Sequence, residues 1–291
     1  MQKRIDALFH LCIHVIAFMS VGLLLFLVGF LAIKSVPAFC EVGVANLLLG
    51  DEWRPLIFSD EPLFGLRNML LATLIVSALA GLFAGFIGIG CALFLSCGVS
   101  DKVRTTLLPF IDLLAGIPSV VYGFIGLFVV VKAFENLGRS TGESVLAGAI
   151  VLAVMILPFV ISSTTHSMVT LYHRHAVATT ALGVSRWYTA AELVLPASKR
   201  GILISMGLAL GRAMGETMAV MMVMGNAPVF PSLLGKGETI SALIALEMGT
   251  AELGSLHFSS LFAAGFFLFV VLLIINVVFT IAHKRLVEEC L

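Results

Sequence analysis

The sequence predicts an all-α membrane protein with six transmembrane helices. Of its 291 residues, 60% are hydrophobic and only 12% are charged, and the mean hydropathy is +1.11. This composition lies far from that of soluble domains and leaves no stretch for a large soluble core. Because a helix needs about 20 apolar residues to cross the hydrocarbon core, we placed the spans at apolar windows of roughly that length. The windows are 8–33, 66–97, 105–132, 144–166, 201–224 and 258–282.

The first window, 8–33, predicts a retained membrane anchor. It is longer than the apolar core of a secretory signal peptide, and no convincing small-residue cleavage site follows it. The second window, 66–97, contains four glycines and is about thirty residues long, which predicts a tilted or broken helix.

We divide the chain into two units. Residues 1–65 hold the first helix and an extracytoplasmic segment, and residues 66–291 form a core of five helices with a polar loop at 167–200.

A carboxylate in the third window has two alternative interpretations. Asp112 lies near the start of the third window. It is either a helix-entry carboxylate, favoured by the positive end of the helix dipole, or part of a polar pathway.

In the loop 225–257, the run Ile240–Glu247 predicts a short amphipathic helix on the outer surface.

The distribution of charge predicts that both termini are cytoplasmic. Six spans place both termini on one side, and this orientation puts ten cations and five acids inside, against six cations and ten acids outside. Cytoplasmic loops of membrane proteins carry the excess of Lys and Arg. We therefore expect a multi-pass protein of the cell inner (plasma) membrane, with membrane lipid as its surroundings.

The composition also argues against several classes of function. The 17 basic and 17 acidic residues cancel, which argues against a nucleic-acid-binding protein. The five cysteines show no metal-ligand spacing, and the chain contains no HExxH, no GxSxG and no P-loop. We therefore expect no metal, no cofactor, and no ATPase or other catalytic activity in this chain.

A cation and a carboxylate interrupt the fifth window. Arg212 and Glu216 are four residues apart, and on a continuous helix Arg212 lies about 17 Å from Gly201, near the middle of a core about 30 Å thick. A central Arg costs roughly 2.5 to 3.5 kcal/mol on insertion, and such residues usually face a bundle interior or an aqueous cavity. One interpretation is a structural ion pair within the helix. The other is that Arg212 binds a transported anion, while Glu216 neutralises it when the anion is absent.

Glycines line the neighbouring stripe of the same predicted helix. Gly207, Gly211 and Gly215 recur every four residues, which lets another helix approach closely. The two charged residues lie about 100° round the helix from this stripe. The pattern predicts tight helix packing beside a charged seam, as expected at an interface that lines a pathway.

The polar loop 167–200 carries a second motif. A glycine that ends one helix, an Arg-Trp pair that opens another and a proline that stops it predict a helix-turn-helix on the cytoplasmic face. The loop resembles that of the permease subunits of binding-protein-dependent ABC transporters, in which E-A-A, three residues and G are followed further on by I-L-P. The residues assigned to this coupling element are Ala178, Gly183, Ser185, Arg186, Trp187, Leu195 and Pro196. Val177 stands where the family commonly has Glu, and Thr179 replaces the second Ala.

Two further stretches make the resemblance more specific. Gly211–Val220, closed by Gly225-Asn226, and Leu113–Gly123 are similar to the phosphate permease subunits called PstC. The similarity runs from about Trp53 to the end of the chain. It implies the type I, MetI-like architecture of ABC importer permeases.

The resemblance further implies an ATP-driven importer of inorganic phosphate. In such an importer this chain forms the pathway with a second, PstA-like permease subunit. A dimeric ATPase docks on 167–200, and an extracytoplasmic phosphate-binding protein lies above. Molybdate, sulfate and phosphonate are alternative oxyanions. A secondary anion transporter is a further alternative, because it too would use buried charge. The long cytoplasmic loop favours the ATP-driven class, since a self-sufficient transporter needs no docking element for an ATPase.

Overall fold

Helices make up most of the protein. The computed structural model describes residues 2–55, 62–138 and 141–288. The first elements are α1 (Gln2–Ala38), α2 (Val44–Leu49), β1 (Trp53–Arg54), β2 (Leu63–Phe64), α3 (Arg67–Leu93), α4 (Asp101–Ala115), α5 (Ser119–Ile125) and α6 (Lys132–Asn136). They are followed by α7 (Val145–Ala181), α8 (Arg186–Tyr188), α9 (Leu195–Ala197), α10 (Lys199–Met214), α11 (Met218–Val223), α12 (Ile240–Glu247) and α13 (Leu256–Glu288). Strands β1 and β2 pair antiparallel.

The helices of the described residues provide five spans, or six if a bent pair counts as one. Five are long and apolar enough to cross a membrane: Phe9–Leu49, Arg67–Gly98, Ser119–Asn136, Val145–Ala181 and Leu256–Arg285. Several of them include a π-helical turn that joins or extends neighbouring helices. The sixth is a bent pair, Arg186–Ala197 and Lys199–Met214, with a bend of 63°. The predicted all-α membrane protein is confirmed.

Two of the predicted spans are wrong in their limits, because each contains a helix break. The third window, 105–132, covers two helices: α4 ends at Ala115, and α5 begins after Pro118. A proline disfavours helical backbone at the residue before it, so the crossing segment is Ser119–Asn136. The fifth window, 201–224, likewise covers two helices, since α10 ends at Met214 and α11 begins at Met218.

Helix α12 forms where the sequence predicts a helix, but its predicted surface position is wrong. Ile240, Ala242 and Leu243 are fully buried. The Ile240 N–H donates to Thr73 Oγ1 of α3 at 3.1 Å, and Thr239 Oγ1 accepts from the Ala242 N–H. Its first turn is apolar or small on every side, and a helix that is apolar all round is buried. The loop 225–257 therefore enters the bundle from one end.

The packing of α3 on α7 forms the centre of the bundle. Ala72, Val76, Ala80 and Ala84 lie four residues apart on α3 and are all buried. A Cβ atom on Gly88 would lie 2.8 Å from Val160 Cγ1 of α7. Small residues at this spacing let two helices approach closely within a membrane. The α3–α7 pair thus forms the rigid support for α10 and α11.

The segment after α1 shares a core with distant parts of the chain. Ala38, Leu47 and Trp53 are buried in one cluster with Ile240 and Leu261. The division of the chain at residue 65 stays a prediction, and this cluster attaches the segment before it to α12 and α13.

Candidate functional site

The charged motif lies at a break in the fifth span. Helix α10 ends at Met214, the Gly215 N–H donates to the Gly211 carbonyl, and the Glu216 N–H donates to the Ala213 carbonyl. The chain then turns before α11 begins. The prediction that Arg212 and Glu216 share one helix is therefore wrong. Arg212 occupies the last turn of α10, where the negative end of the helix dipole favours a cation.

Glu216 caps the next helix. Its Oε1 accepts a hydrogen bond from the Ala219 N–H at 3.2 Å, and its main-chain carbonyl accepts one from Ser241 Oγ of α12 at 2.7 Å. A side-chain acceptor at this place satisfies one of the N–H groups that a helix start leaves without a partner. Glu216 thus holds the start of α11 against α12.

Arg212 is exposed at the surface of this chain. The structure shows no ion pair and no hydrogen bond between its guanidinium and any residue in the described ranges. The interpretation of Arg212 and Glu216 as a structural ion pair is therefore not supported by the geometry, and the cation remains available to a ligand.

The three glycines of the predicted stripe have different surroundings. A Cβ atom on Gly207 would lie 3.0 Å from Phe279 Cγ of α13, and one on Gly211 would lie 3.9 Å from Asn276 Nδ2. Gly215 is the C-cap of α10 and meets only the backbone of its own helix. The structure thus places Gly207 and Gly211 against α13, and Gly215 at the break.

Asp112 lies in the last turn of α4 and is exposed. The interpretation as a helix-entry carboxylate is wrong, because α4 begins eleven residues earlier at Asp101. Asp101 takes the helix-entry position and pairs with Arg104. Asp112 therefore stands at the negative end of a helix, beside the break between α4 and α5.

The two helices that follow the breaks, α5 and α11, pack on each other. A Cβ atom on Gly123 of α5 would lie 2.9 Å from the Ala219 Cα and 2.9 Å from Met222 Sδ, both in α11. Only a glycine permits this approach. Helix α5 therefore lies directly on the helix that Glu216 caps.

The loop 167–200 has the predicted helix-turn-helix form. Helix α7 continues to Ala181, and Gly183 has a φ of +69°, the left-handed conformation that commonly ends a helix. Ser185 Oγ accepts from the Tyr188 N–H and so caps the next helix. The exposed members of the predicted coupling element are Ala178, Gly183, Ser185, Arg186, Trp187 and Pro196, and Leu195 is half-buried. The side chain of Val177 lies outside the described residues.

A buried acidic cluster was missed by sequence reasoning. Glu247 Oε2 accepts from Trp53 Nε1 at 2.8 Å and lies 2.7 Å from His257 Nε2. Glu238 is only 5% exposed. Its burial, and secondly the charge of Glu247, raise its pKa to about 7. Trp53 is 194 residues away from Glu247 along the chain, and the two glutamates match no recognisable motif, so no local signal marks them.

Replacing Glu238 with Gln is expected to stabilise the protein above pH 7. Because the folded pKa, about 7, exceeds the ordinary pKa of a glutamate, 4.5, the folded state binds more protons, and the wild type loses stability as the pH rises between these values. The full effect is on the order of 3 kcal/mol. Thermal unfolding at pH 5 and pH 8 should show a Tm gain for Glu238→Gln at pH 8 alone. An equal change at both pH values would contradict the prediction.

Replacing Glu216 separates its capping role from a role of its charge. Glu216→Gln keeps an acceptor for the Ala219 N–H, whereas Glu216→Ala removes it and is expected to cost about 1 kcal/mol. We expect near-normal thermal stability for Gln and a lower Tm for Ala, measured on the purified protein in detergent. Equal stability of the two variants would rule out the cap as the source of the effect.

Comparison with known proteins identifies the family. Residues 84–288 match the family described as the binding-protein-dependent transport system inner membrane component. The chain belongs to this family of permeases.

Named relatives of this permease match over most of its length. The phosphate transport system permease protein PstC of Mesorhizobium japonicum is 35% identical over 295 residues, covering 93% of this chain and 87% of that protein. PstC of Haemophilus influenzae is 30% identical, with 93% and 90% covered. The probable ABC transporter permease protein YqgH of Bacillus subtilis is 35% identical, with 88% and 82% covered.

Solved structures share the fold of this permease. A chain of the MetNI methionine ABC transporter, in an inward-facing conformation, aligns with a TM-score of 0.56 and 16% identity, covering 77% of this chain and 94% of that chain. A chain of an amino acid ABC transporter gives a TM-score of 0.53 at 16% identity, covering 75% and 92%. The predicted ABC importer architecture is confirmed.

Proposed function

We propose that this permease forms the translocation pathway of an ATP-driven, binding-protein-dependent importer of inorganic phosphate. Family membership supports the transporter class, and the relatives named PstC support phosphate as the substrate. The observation that carries the proposal is Arg212, which lies at the break of the fifth span with no partner among the described residues. An Arg stays charged when buried and can bind an oxyanion through two parallel N–H bonds.

The arrangement around Arg212 suits transient binding of an anion. Glu216 is engaged by the α11 cap, so it does not neutralise the guanidinium in this structure. A pathway must bind an ion well enough to admit it and weakly enough to release it. A lone Arg meets both needs, whereas a dense cluster of cations would retain the anion. Asp112, exposed at the neighbouring break, is the weaker candidate for the same pathway.

A second permease subunit completes the pathway in this proposal. Around the two breaks the single chain exposes large apolar side chains, among them Phe110, Leu113, Phe124 and Met218. A cation at membrane depth faces a protein interior or an aqueous cavity and not lipid. The surface that carries Arg212 is therefore the one that a PstA-like partner covers.

The energy comes from partner subunits in this proposal. Trp187, which is 60% exposed, and Arg186 project from the helix that follows Gly183. They form a cytoplasmic contact surface for a dimeric ATPase, and an extracytoplasmic phosphate-binding protein delivers the substrate. Both termini then lie in the cytoplasm, and the protein resides in the cell inner (plasma) membrane.

Uptake of labelled oxyanions tests the proposal. Cells with and without this chain are compared for accumulation of phosphate, molybdate, sulfate and phosphonate, and intact complexes are purified. We expect chain-dependent accumulation of phosphate and co-purification of an ATP-binding subunit. Accumulation of another oxyanion would show that this oxyanion is the substrate and phosphate is not. The persistent absence of an ATPase would favour a secondary transporter.

A further inference from the structure

Tyr122 lies at the meeting point of the two interrupted spans. Its hydroxyl donates to the Leu114 carbonyl at 2.8 Å and so bridges the break between α4 and α5. The last carbonyls of a helix have no partner within it, and this bond satisfies one of them. The Tyr122 ring packs against the central core, and the neighbouring Gly123 lies against Ala219 of α11, the helix that follows the break after Arg212.

Helix α4 connects this point to the proposed coupling surface. Its other end follows Gly98, and a Cβ atom on Gly98 would lie 3.5 Å from Trp187 Cη2. At the first residue of α4, Asp101 Oδ1 lies 3.9 Å from His173 Nε2 of α7. Helix α4 has 15 residues, a length of about 22 Å, and contains Pro109. It therefore runs from the break at Leu114 to the neighbourhood of Trp187.

We propose that Tyr122 is a positioning residue whose hydroxyl exchanges the Leu114 carbonyl for an oxyanion bound at Arg212. This inference rests on the proposed function. An O–H···O⁻ bond to an anion is shorter and about twice as strong as a bond to a neutral carbonyl. An oxyanion that enters beside Arg212 therefore competes successfully for the hydroxyl. The exchange breaks the hydrogen bond from Tyr122 to the Leu114 carbonyl that bridges α4 and α5. Helix α4 can then move against the coupling surface.

The test is Tyr122→Phe in the complete transporter, reconstituted with its ATPase and binding protein. Phenylalanine keeps the packed ring and removes only the hydroxyl. We expect the amount of phosphate moved per ATP hydrolysed to fall about tenfold, the effect of one hydrogen bond to a charged group, while assembly and the ATPase rate persist. Tyr172→Phe is the matched control, because the Tyr172 hydroxyl makes no hydrogen bond in the described part of the chain.

A double mutant with Arg212→Lys distinguishes a shared anion from a structural effect. If both residues act on one anion, Tyr122→Phe costs less transport in the Arg212→Lys background than in the wild type. Additive losses, an unchanged phosphate-to-ATP ratio, or a parallel loss of uptake and assembly would each overturn the inference. Failure of the wild-type complex to move phosphate would instead refute the proposed function.

Discussion

Replacing Arg212 with Ala is expected to abolish phosphate uptake and to leave the assembled transporter intact. The side chain is exposed on this chain and makes no ion pair or hydrogen bond with the described residues. Truncation therefore removes a strong attraction for an anion at the break without removing a polar contact to any described residue. Arg212→Lys should restore uptake only in part, because an ammonium keeps the charge and loses the planar fork that binds an oxyanion bidentately.

Labelled phosphate uptake into reconstituted vesicles measures the effect, and the yield of purified complex measures assembly. Lys284→Ala is the matched control, since it removes an exposed cation near the end of α13, far along the chain from the break. Normal transport by Arg212→Ala would remove Arg212 from the pathway. Loss of the protein from the membrane would show that the residue has a structural role.

Replacing Gly183 with Val is expected to uncouple ATP hydrolysis from uptake. Gly183 has a φ of +69°, and no atom of the described residues lies within 4 Å of the position that a Cβ would take. Only the backbone conformation therefore opposes a side chain. A left-handed conformation costs a non-glycine residue roughly 1 to 2 kcal/mol, and more for a β-branched one. The turn must then rearrange, and the helix that carries Arg186 and Trp187 changes direction.

Gly183→Asn is the matched control, because Asn tolerates the left-handed conformation far better than Val. The measurements are the amount of phosphate transported per ATP hydrolysed and the amount of ATPase that co-purifies. We expect both to fall for Val and to stay near the wild-type values for Asn. Equal behaviour of the two variants, or normal coupling in Val, would count against an ATPase contact at this turn.

The turn at Gly183 was predictable because its determinants are local. Gly183 needs a positive φ, Ser185 caps the following helix through the Tyr188 N–H, and both choices depend on residues no more than a few positions away. The span count was predictable for a related reason. Burial in lipid requires an apolar run of fixed minimum length, and such runs are read directly from the sequence.

The break at Gly215–Thr217 was not predictable from the sequence. A proline-free apolar run favours a continuous helix, and the chain leaves the helix between α10 and α11 because groups elsewhere in the protein hydrogen-bond to its polar groups. Ser241 Oγ donates to the Glu216 carbonyl, and Glu216 Oε1 accepts from the Ala219 N–H. Ser241 is 25 residues away from Glu216 along the chain, so the spacing of apolar residues within the fifth window gives no information about this contact.

The sequence by itself determined the membrane class, the presence of several apolar spans and the turn at Gly183, and it singled out Arg212 as a candidate. These follow from composition, apolar run length and local backbone preference. Only the tertiary structure decided that Arg212 and Glu216 lie on either side of a break, that the first turn of α12 is buried, and that Glu238 is buried. The physical reason is that hydrogen bonds and burial between distant segments determine which polar groups are satisfied, and that choice left Arg212 without a partner among the described residues.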